Sequence, residues 1–290
     1  MHYVKAKHLL SNKNGMNIYR GCSHGCIYCD SRSKCYNMNH NFEDIEVKIN
    51  APELLEIELK RKRNRAMIAT GAMSDPYLHI EKELKLTRRC LQVINKYDFG
   101  ATVLTKSDLI LRDLDLIKEI NNKSKFVVQM TITTFDDNLC KIIEPNVCPS
   151  SRRLEVLKIM KDNKIPTIVW ITPILPFIND NEDNIMNILM SLKEANVKGI
   201  VSFNGFGLTL REGDKEYFYQ NLDSNFPGIK NRYIREYGNR YELPAPNNNR
   251  LNKMFIDFCM ANNIEYRVDK IFSYLSEYHF KNSIEEISLF

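Results

Sequence analysis

The chain has 290 residues, 43% of them apolar and 27% charged, a balance that excludes a disordered or collagen-like chain. No segment offers about 18 uninterrupted apolar residues, so no membrane-spanning helix is expected; the most apolar run, residues 165–178, is cut by Pro166, Pro173 and Pro176. The formal net charge of +5 permits an anionic partner without requiring one, and the N-terminal stretch lacks the apolar core of a secretory signal, which points to the cytoplasm.

In chain order, residues 16–20 read as a first short strand, followed by a cysteine-rich loop. A helix over 52–63 follows, with Pro52 suited to its first turn. It closes in the run Lys60-Arg61-Lys62-Arg63-Asn64-Arg65, read as cations opposing the helix C-terminal dipole on a solvated face in preference to a nucleic-acid contact. Strands are expected over 67–71, 101–105, 126–133, 167–172 and 199–203, and helices over 81–97, 109–120, 151–162 and 184–195. Short apolar strands alternating with longer helices argue for an α/β protein built of βαβ units around a parallel sheet. Six such strands form an open doubly wound sheet or an incomplete barrel, and both gather ligands at the C-terminal ends of the strands. Residues 1–205 are thus expected to form the core. Residues 206–290, rich in Tyr and Asn with one evident helix over 251–261, are expected to pack on it as an extension or a lid.

The eight cysteines are unevenly placed. Cys22, Cys26 and Cys29 crowd into the loop Arg20-Gly21-Cys22-Ser23-His24-Gly25-Cys26-Ile27-Tyr28-Cys29-Asp30, with Cys35 close behind, while Cys90, Cys140, Cys148 and Cys259 are scattered. Scattered thiols behave as small buried hydrophobes; a cluster of three needs a chemical reason. Thiolates select zinc, copper(I) or iron–sulfur clusters. A structural zinc site would need a fourth ligand, from His24 or Cys35, yet no second ligand pair is present. A [4Fe–4S] cluster on three cysteines would keep one iron open. Two readings therefore stand: a cluster enzyme, and a non-catalytic zinc- or cluster-binding module that recognises a partner.

The C-x3-C-x2-C spacing, with Tyr28 before the third cysteine and a position just after the first strand, resembles the signature of the radical S-adenosylmethionine (SAM) superfamily. The resemblance implies a partial (β/α)6 TIM-like barrel. It implies a [4Fe–4S] cluster on Cys22, Cys26 and Cys29 whose open iron chelates SAM. It further implies reductive cleavage of SAM to a 5′-deoxyadenosyl radical, and an external electron donor such as flavodoxin or ferredoxin. Ser74-Asp75, Thr105-Lys106, Thr131-Ile132-Thr133, Glu144-Pro145 and Arg152-Arg153 resemble, in that order, the spore photoproduct lyase-like branch. By that match Tyr28, Ser74, Asp75, Lys106, Thr131 and Thr133 are the candidate SAM contacts. Ser74 and Asp75 would accept from the SAM amino group, and Lys106 would pair with its carboxylate. Period-two alternation puts Gln129, Thr131 and Thr133 on one strand face. Plainer readings are a surface lysine for Lys106 and an Asp-Pro turn for Asp75. An ion pair between Glu144 and Arg153 is also expected. DNA or another nucleic acid is the first substrate class suggested. The chain departs from the branch at Ala72, where the lyase carries its hydrogen-donor cysteine, and at Asp30, where it carries an aromatic residue.

Overall fold

The computed structural model describes residues 1–203 and 205–281. Its elements are β1 (His2–Val4), β2 (Gly15–Met16), β3 (Tyr19–Arg20), β4 (Glu46–Lys48), α1 (Ala51–Arg61), β5 (Met67–Thr70), α2 (Glu81–Leu84), α3 (Leu86–Lys96), β6 (Gly100–Thr105), α4 (Leu114–Lys123), β7 (Phe126–Thr131), α5 (Asp137–Ile143), α6 (Ser150–Asp162), β8 (Thr167–Trp170), α7 (Glu182–Glu194), β9 (Gly199–Val201), β10 (Gly207–Thr209), α8 (Asp214–Asn225), α9 (Ile229–Tyr237), β11 (Glu242–Pro244), α10 (Asn248–Ala261) and α11 (Val268–Ser276). Six strands pair in the order β2-β5-β6-β7-β8-β9, every neighbouring pair parallel. This is the parallel α/β arrangement expected from the alternation, and of the two architectures it allowed it is the partial TIM-like barrel that the resemblance implied. The central strands read as near-continuous apolar runs because both faces are covered; all six residues of β7 are buried. Helices cover the outer face through stripes such as Leu55 and Leu59 of α1 and Cys90, Leu91 and Ile94 of α3.

The expected first strand is two pieces. Gly15–Met16 pairs with β5, after which the chain leaves the barrel and Tyr19–Arg20 pairs antiparallel with β4, itself parallel to β1. The local pattern shows one apolar run because both pieces bury apolar side chains, Met16 and Tyr19 each being 1% exposed. The expected helix over 81–97 is also two. Lys85 takes a left-handed conformation (φ 50°), and the Glu81 carboxylate caps α3 by accepting from the backbone N–H of Leu86 (3.1 Å) and Thr87 (3.0 Å). The helix expected from 109 begins as a 3-10 turn over Asp108–Asp113 before α4. The strand expected to reach 133 stops at Thr131.

Residues past 205 hold more structure than their composition suggested. β10 and β11 pair antiparallel, with α8 and α9 lying between them in the chain. Phe218, Leu222, Tyr233 and Leu243 share a core with Cys26, Ile27 and Tyr28 of the cysteine loop. At the open edge, β9 is covered by Glu265, whose carbonyl accepts from Ile200 N (2.8 Å), so the edge does not expose unpaired amides. Residues 282–290 of the expected extension lie outside the described residues. No helix among the described residues is long and apolar enough to cross a membrane.

Candidate active site

The C-terminal ends of β5 to β9 and the cysteine loop enclose a cavity of about 650 Å³, within the usual range of about 300–1,000 Å³ for small-molecule sites. Cys22, Cys26 and Cys29 all line it. The loop is held from three sides. Gly21 adopts φ +86°, and a Cβ there would sit 2.5 Å from the Phe42 carbonyl, so the position requires glycine. Beside it, Cys22 N donates to that same carbonyl (3.0 Å). The end of α5 and the residues just after it hold the far side: Ile27 N donates to Ile143 O (3.0 Å), and Asn146 N to His24 O (3.1 Å). The third hold is Tyr28, whose hydroxyl donates to the Glu144 carboxylate.

Glu144 is in turn ion-paired with Arg153, and both side chains are fully buried. The Arg153 guanidinium also donates to the Thr131 carbonyl at the end of β7 (2.7 Å) and to the Cys148 carbonyl (3.1 Å). The expected Glu144–Arg153 pair is therefore present, and its reach is wider than the sequence suggested. It connects the cysteine loop, the end of α5, α6 and the rim of the barrel.

The expected contact residues lie as follows. Ser74 Oγ donates to the Gly21 carbonyl (2.6 Å). Asp75 accepts from Thr105 Oγ1 (2.7 Å), Tyr77 N (2.8 Å) and Lys106 N (2.7 Å), and His24 Nδ1 lies 3.5 Å from its Oδ2. Both carboxylate oxygens are thus engaged within the protein. Asp75 splices the loop after β5 to the end of β6, much as an Asp-Pro turn would. Lys106 is no surface lysine: it lines the cavity, with Nζ 5.8 Å from the Tyr28 ring centroid. Thr131 lines the cavity too. Thr133 does not. It is fully buried behind the rim with an unpartnered Oγ1, and its carbonyl accepts from Asn179 (2.8 Å) and Asn184 (3.1 Å). The expected shared face fails because β7 ends at Thr131 and period-two alternation ends with it.

Sequence reading missed several lining residues. His24, 3% exposed, was considered only as a metal ligand; burial lowers its pKa, outweighing the nearby Asp75 carboxylate that raises it. Trp170 ends β8, donates to Gln129 Oε1 (2.8 Å) and meets Phe203 edge-on at 5.3 Å. A lone tryptophan closing an aliphatic strand was the one signal available for it. Asn248 carried none, since only the packing of α10 brings it to the cavity.

The donor set suits an iron–sulfur cluster. All eight cysteines are free thiols, and Cys22, Cys26 and Cys29 bring three soft ligands to one cavity wall. Burial, then the neighbouring Cys29, pushes the Cys22 thiol up to about 12. Burial holds the Cys26 thiol well above its usual range. Thiolates form in such a place when a metal centre takes up their charge, and Lys106 adds a cation that favours both of them.

A match to the radical SAM superfamily covers residues 16–192. An uncharacterised protein of Methanocaldococcus jannaschii is 35% identical over 231 residues, covering 76% of this chain and 83% of that protein. An uncharacterised protein of Acidianus two-tailed virus is 27% identical over 250 residues, covering 81% and 82%. Among solved structures, a spore photoproduct lyase mutant has a TM-score of 0.64 at 12% identity, covering 89% of this chain and 78% of that one. Another lyase mutant, with bound AdoMet and dinucleoside spore photoproduct, has a TM-score of 0.55 at 14% identity, covering 86% and 72%. These likenesses place the fold beside that of the lyase. With the motif, the barrel and the family match in agreement, the chain belongs to the radical SAM superfamily, whose cofactors are a [4Fe–4S] cluster and SAM.

Proposed function

We propose that the chain is a radical SAM enzyme in which Cys22, Cys26 and Cys29 hold the cluster and the strand-end rim holds SAM. The observation that carries this reading is the arrival of three loop thiols on the wall of the cavity that the parallel strands open into. When bound, the cluster supplies one electron to the SAM sulfonium, the step by which this family starts radical chemistry. The chain's own residues bind and orient. Lys106 offers a cation for the SAM carboxylate, Thr131 a hydroxyl at the rim, and Tyr28 a ring beside Lys106. Ser74 and Asp75 act chiefly by fixing the loop against the strand ends. Thr133 acts through its backbone alone. Residues 206–281 contribute Leu208, Glu242 and Asn248 to the far wall, so the extension closes the cavity as well as covering the barrel.

A nucleic acid is the favoured substrate class. Trp170 and the exposed Phe203 present aromatic surface at the cavity, which suits base stacking, and a neighbour of the same fold was solved with a dinucleoside. The electron comes from an external donor of the flavodoxin or ferredoxin type, in the cytoplasm. Anaerobic reconstitution tests the reading. The parent chain should take up about four irons and, with dithionite, convert SAM to 5′-deoxyadenosine. The Cys22→Ala/Cys26→Ala/Cys29→Ala variant should do neither, and iron retained in that variant would remove these cysteines from the site.

A further inference from the structure

On the far side of the loop that backs Cys22, two histidines and an aspartate meet. His2 lies on β1, and His40 and Asp44 lie on the segment leading into β4. One ligand atom from each lies within 4.8 Å of the others, and all three residues are half-buried. The two rings meet edge-on, with centroids 4.9 Å apart at 85°.

The hydrogen bonds show how the nitrogens are prepared. His40 Nδ1 is 3.0 Å from the Asn41 carbonyl. A carbonyl only accepts, so Nδ1 carries the proton and Nε2 the lone pair. That Nε2 is buried and has no hydrogen-bond partner. His40 thereby takes the usual form of a metal-bound histidine, its other N–H held by a backbone carbonyl. His2 differs: its Nδ1 donates to Asp44 Oδ2 (2.9 Å), and its Nε2, on the opposite side of the ring, lies 4.0 Å from Glu46 Oε2. The other Asp44 oxygen pairs with the Met1 ammonium (2.6 Å). A cation here would take the place of the His2 Nδ1 proton, between that nitrogen, Asp44 and the unpartnered His40 Nε2.

We propose that His2, His40 and Asp44 form a second metal site, separate from the cysteine loop, for a late first-row divalent cation of the zinc class. Two neutral imidazoles and a carboxylate suit such a cation, whereas magnesium or calcium would call for oxygen ligands throughout. The site is structural. It ties β1 to the segment whose Phe42 carbonyl accepts from Cys22 N (3.0 Å) and crowds Gly21, so the cation would stiffen the brace behind the first cluster cysteine.

The test uses the untagged full-length chain carrying Cys22→Ala, Cys26→Ala and Cys29→Ala, so that no cluster thiols compete. Zinc is titrated by calorimetry, and cobalt(II) is followed by absorption. The expected result is one zinc per chain with micromolar or tighter affinity, and cobalt ligand-field bands without a thiolate charge-transfer band. Loss of an outer-shell partner alone commonly costs about 10–100-fold in affinity, so His2→Ala or His40→Ala should weaken zinc by at least about 100-fold. If His40→Ala lowers the folded yield by circular dichroism, His40→Gln keeps polarity and most of the volume and should weaken zinc similarly. Absent saturable binding, affinity unchanged in the His40 variants, or a cobalt–thiolate band would each overturn the site. Because the cluster cysteines are already removed, any of these results leaves the radical SAM reading untouched.

Discussion

Replacing Arg153 with leucine tests how the cysteine loop is held to the barrel. Arg153 and Glu144 are both fully buried, and the guanidinium is also the donor to the Thr131 and Cys148 carbonyls. Removing one partner of a buried ion pair costs about 3–5 kcal/mol, because the other charge stays behind. Each orphaned carbonyl adds a desolvation penalty, and these losses overlap, so we expect about 4 kcal/mol at neutral pH. That is a large part of the roughly 5–15 kcal/mol that stabilises a typical domain. The pH dependence sharpens the test. In the parent, burial pushes the Glu144 pKa up, but Arg153 and then Lys106 outweigh it, and the net shift is downward. A depressed folded-state pKa gives stability that is present above the unfolded value of about 4.3 and is lost as pH falls through the folded one. Without Arg153 the strongest opposing charge is gone and burial pushes Glu144 upward. The variant's penalty is then full at neutral pH and shrinks as acid neutralises the carboxylate. Urea unfolding of the apo chain at neutral pH and at about pH 5 reads this. Adding Glu144→Gln to Arg153→Leu should restore part of the loss. A penalty below about 1 kcal/mol, or one that grows on acidification, would refute the reasoning.

Three further outcomes are expected. Gly71→Ala should cost at least about 2–3 kcal/mol in the same assay, because Gly71 sits at φ +103° and a Cβ there would lie 1.9 Å from the Leu104 carbonyl. Lys106→Glu should weaken SAM binding by at least tenfold, about 1.4 kcal/mol, since carboxylate would meet carboxylate. Quenching of Trp170, the single tryptophan and a cavity residue, reports the binding. Finally, the reconstituted chain should not repair a synthetic dinucleotide spore photoproduct at the rate of a lyase control, because Ala72 lines the cavity without a thiol to return hydrogen. Multiple-turnover formation of thymidylyl-thymidine would show that another donor serves.

Much of this protein could be read from residue order alone. Alternating short apolar strands and amphipathic helices define a parallel α/β sheet because each pattern suits one kind of burial, and those patterns are local; they left open sheet and barrel both possible. The cysteine motif is local as well: three thiols within eight residues must share a neighbourhood, and glycines beside them let the backbone turn. Ser74, Asp75, Lys106 and Thr131 could be placed at the cavity because each lies at or just past the end of a strand, and strand ends converge in this fold. What local pattern could not supply was the partner of each side chain. Asp75 is taken up by Thr105, Tyr77 and Lys106 N. Thr133 falls behind the rim because β7 stops two residues early. Trp170, Phe203 and Asn248 reach the cavity only through strand register and the packing of α10. His2 and His40, 38 positions apart, meet because β1 pairs with β4. Sequence determines which residues can bury, turn or ligate. Tertiary packing decides which hydrogen bonds they spend before any ligand arrives, because that depends on neighbours distant in the chain.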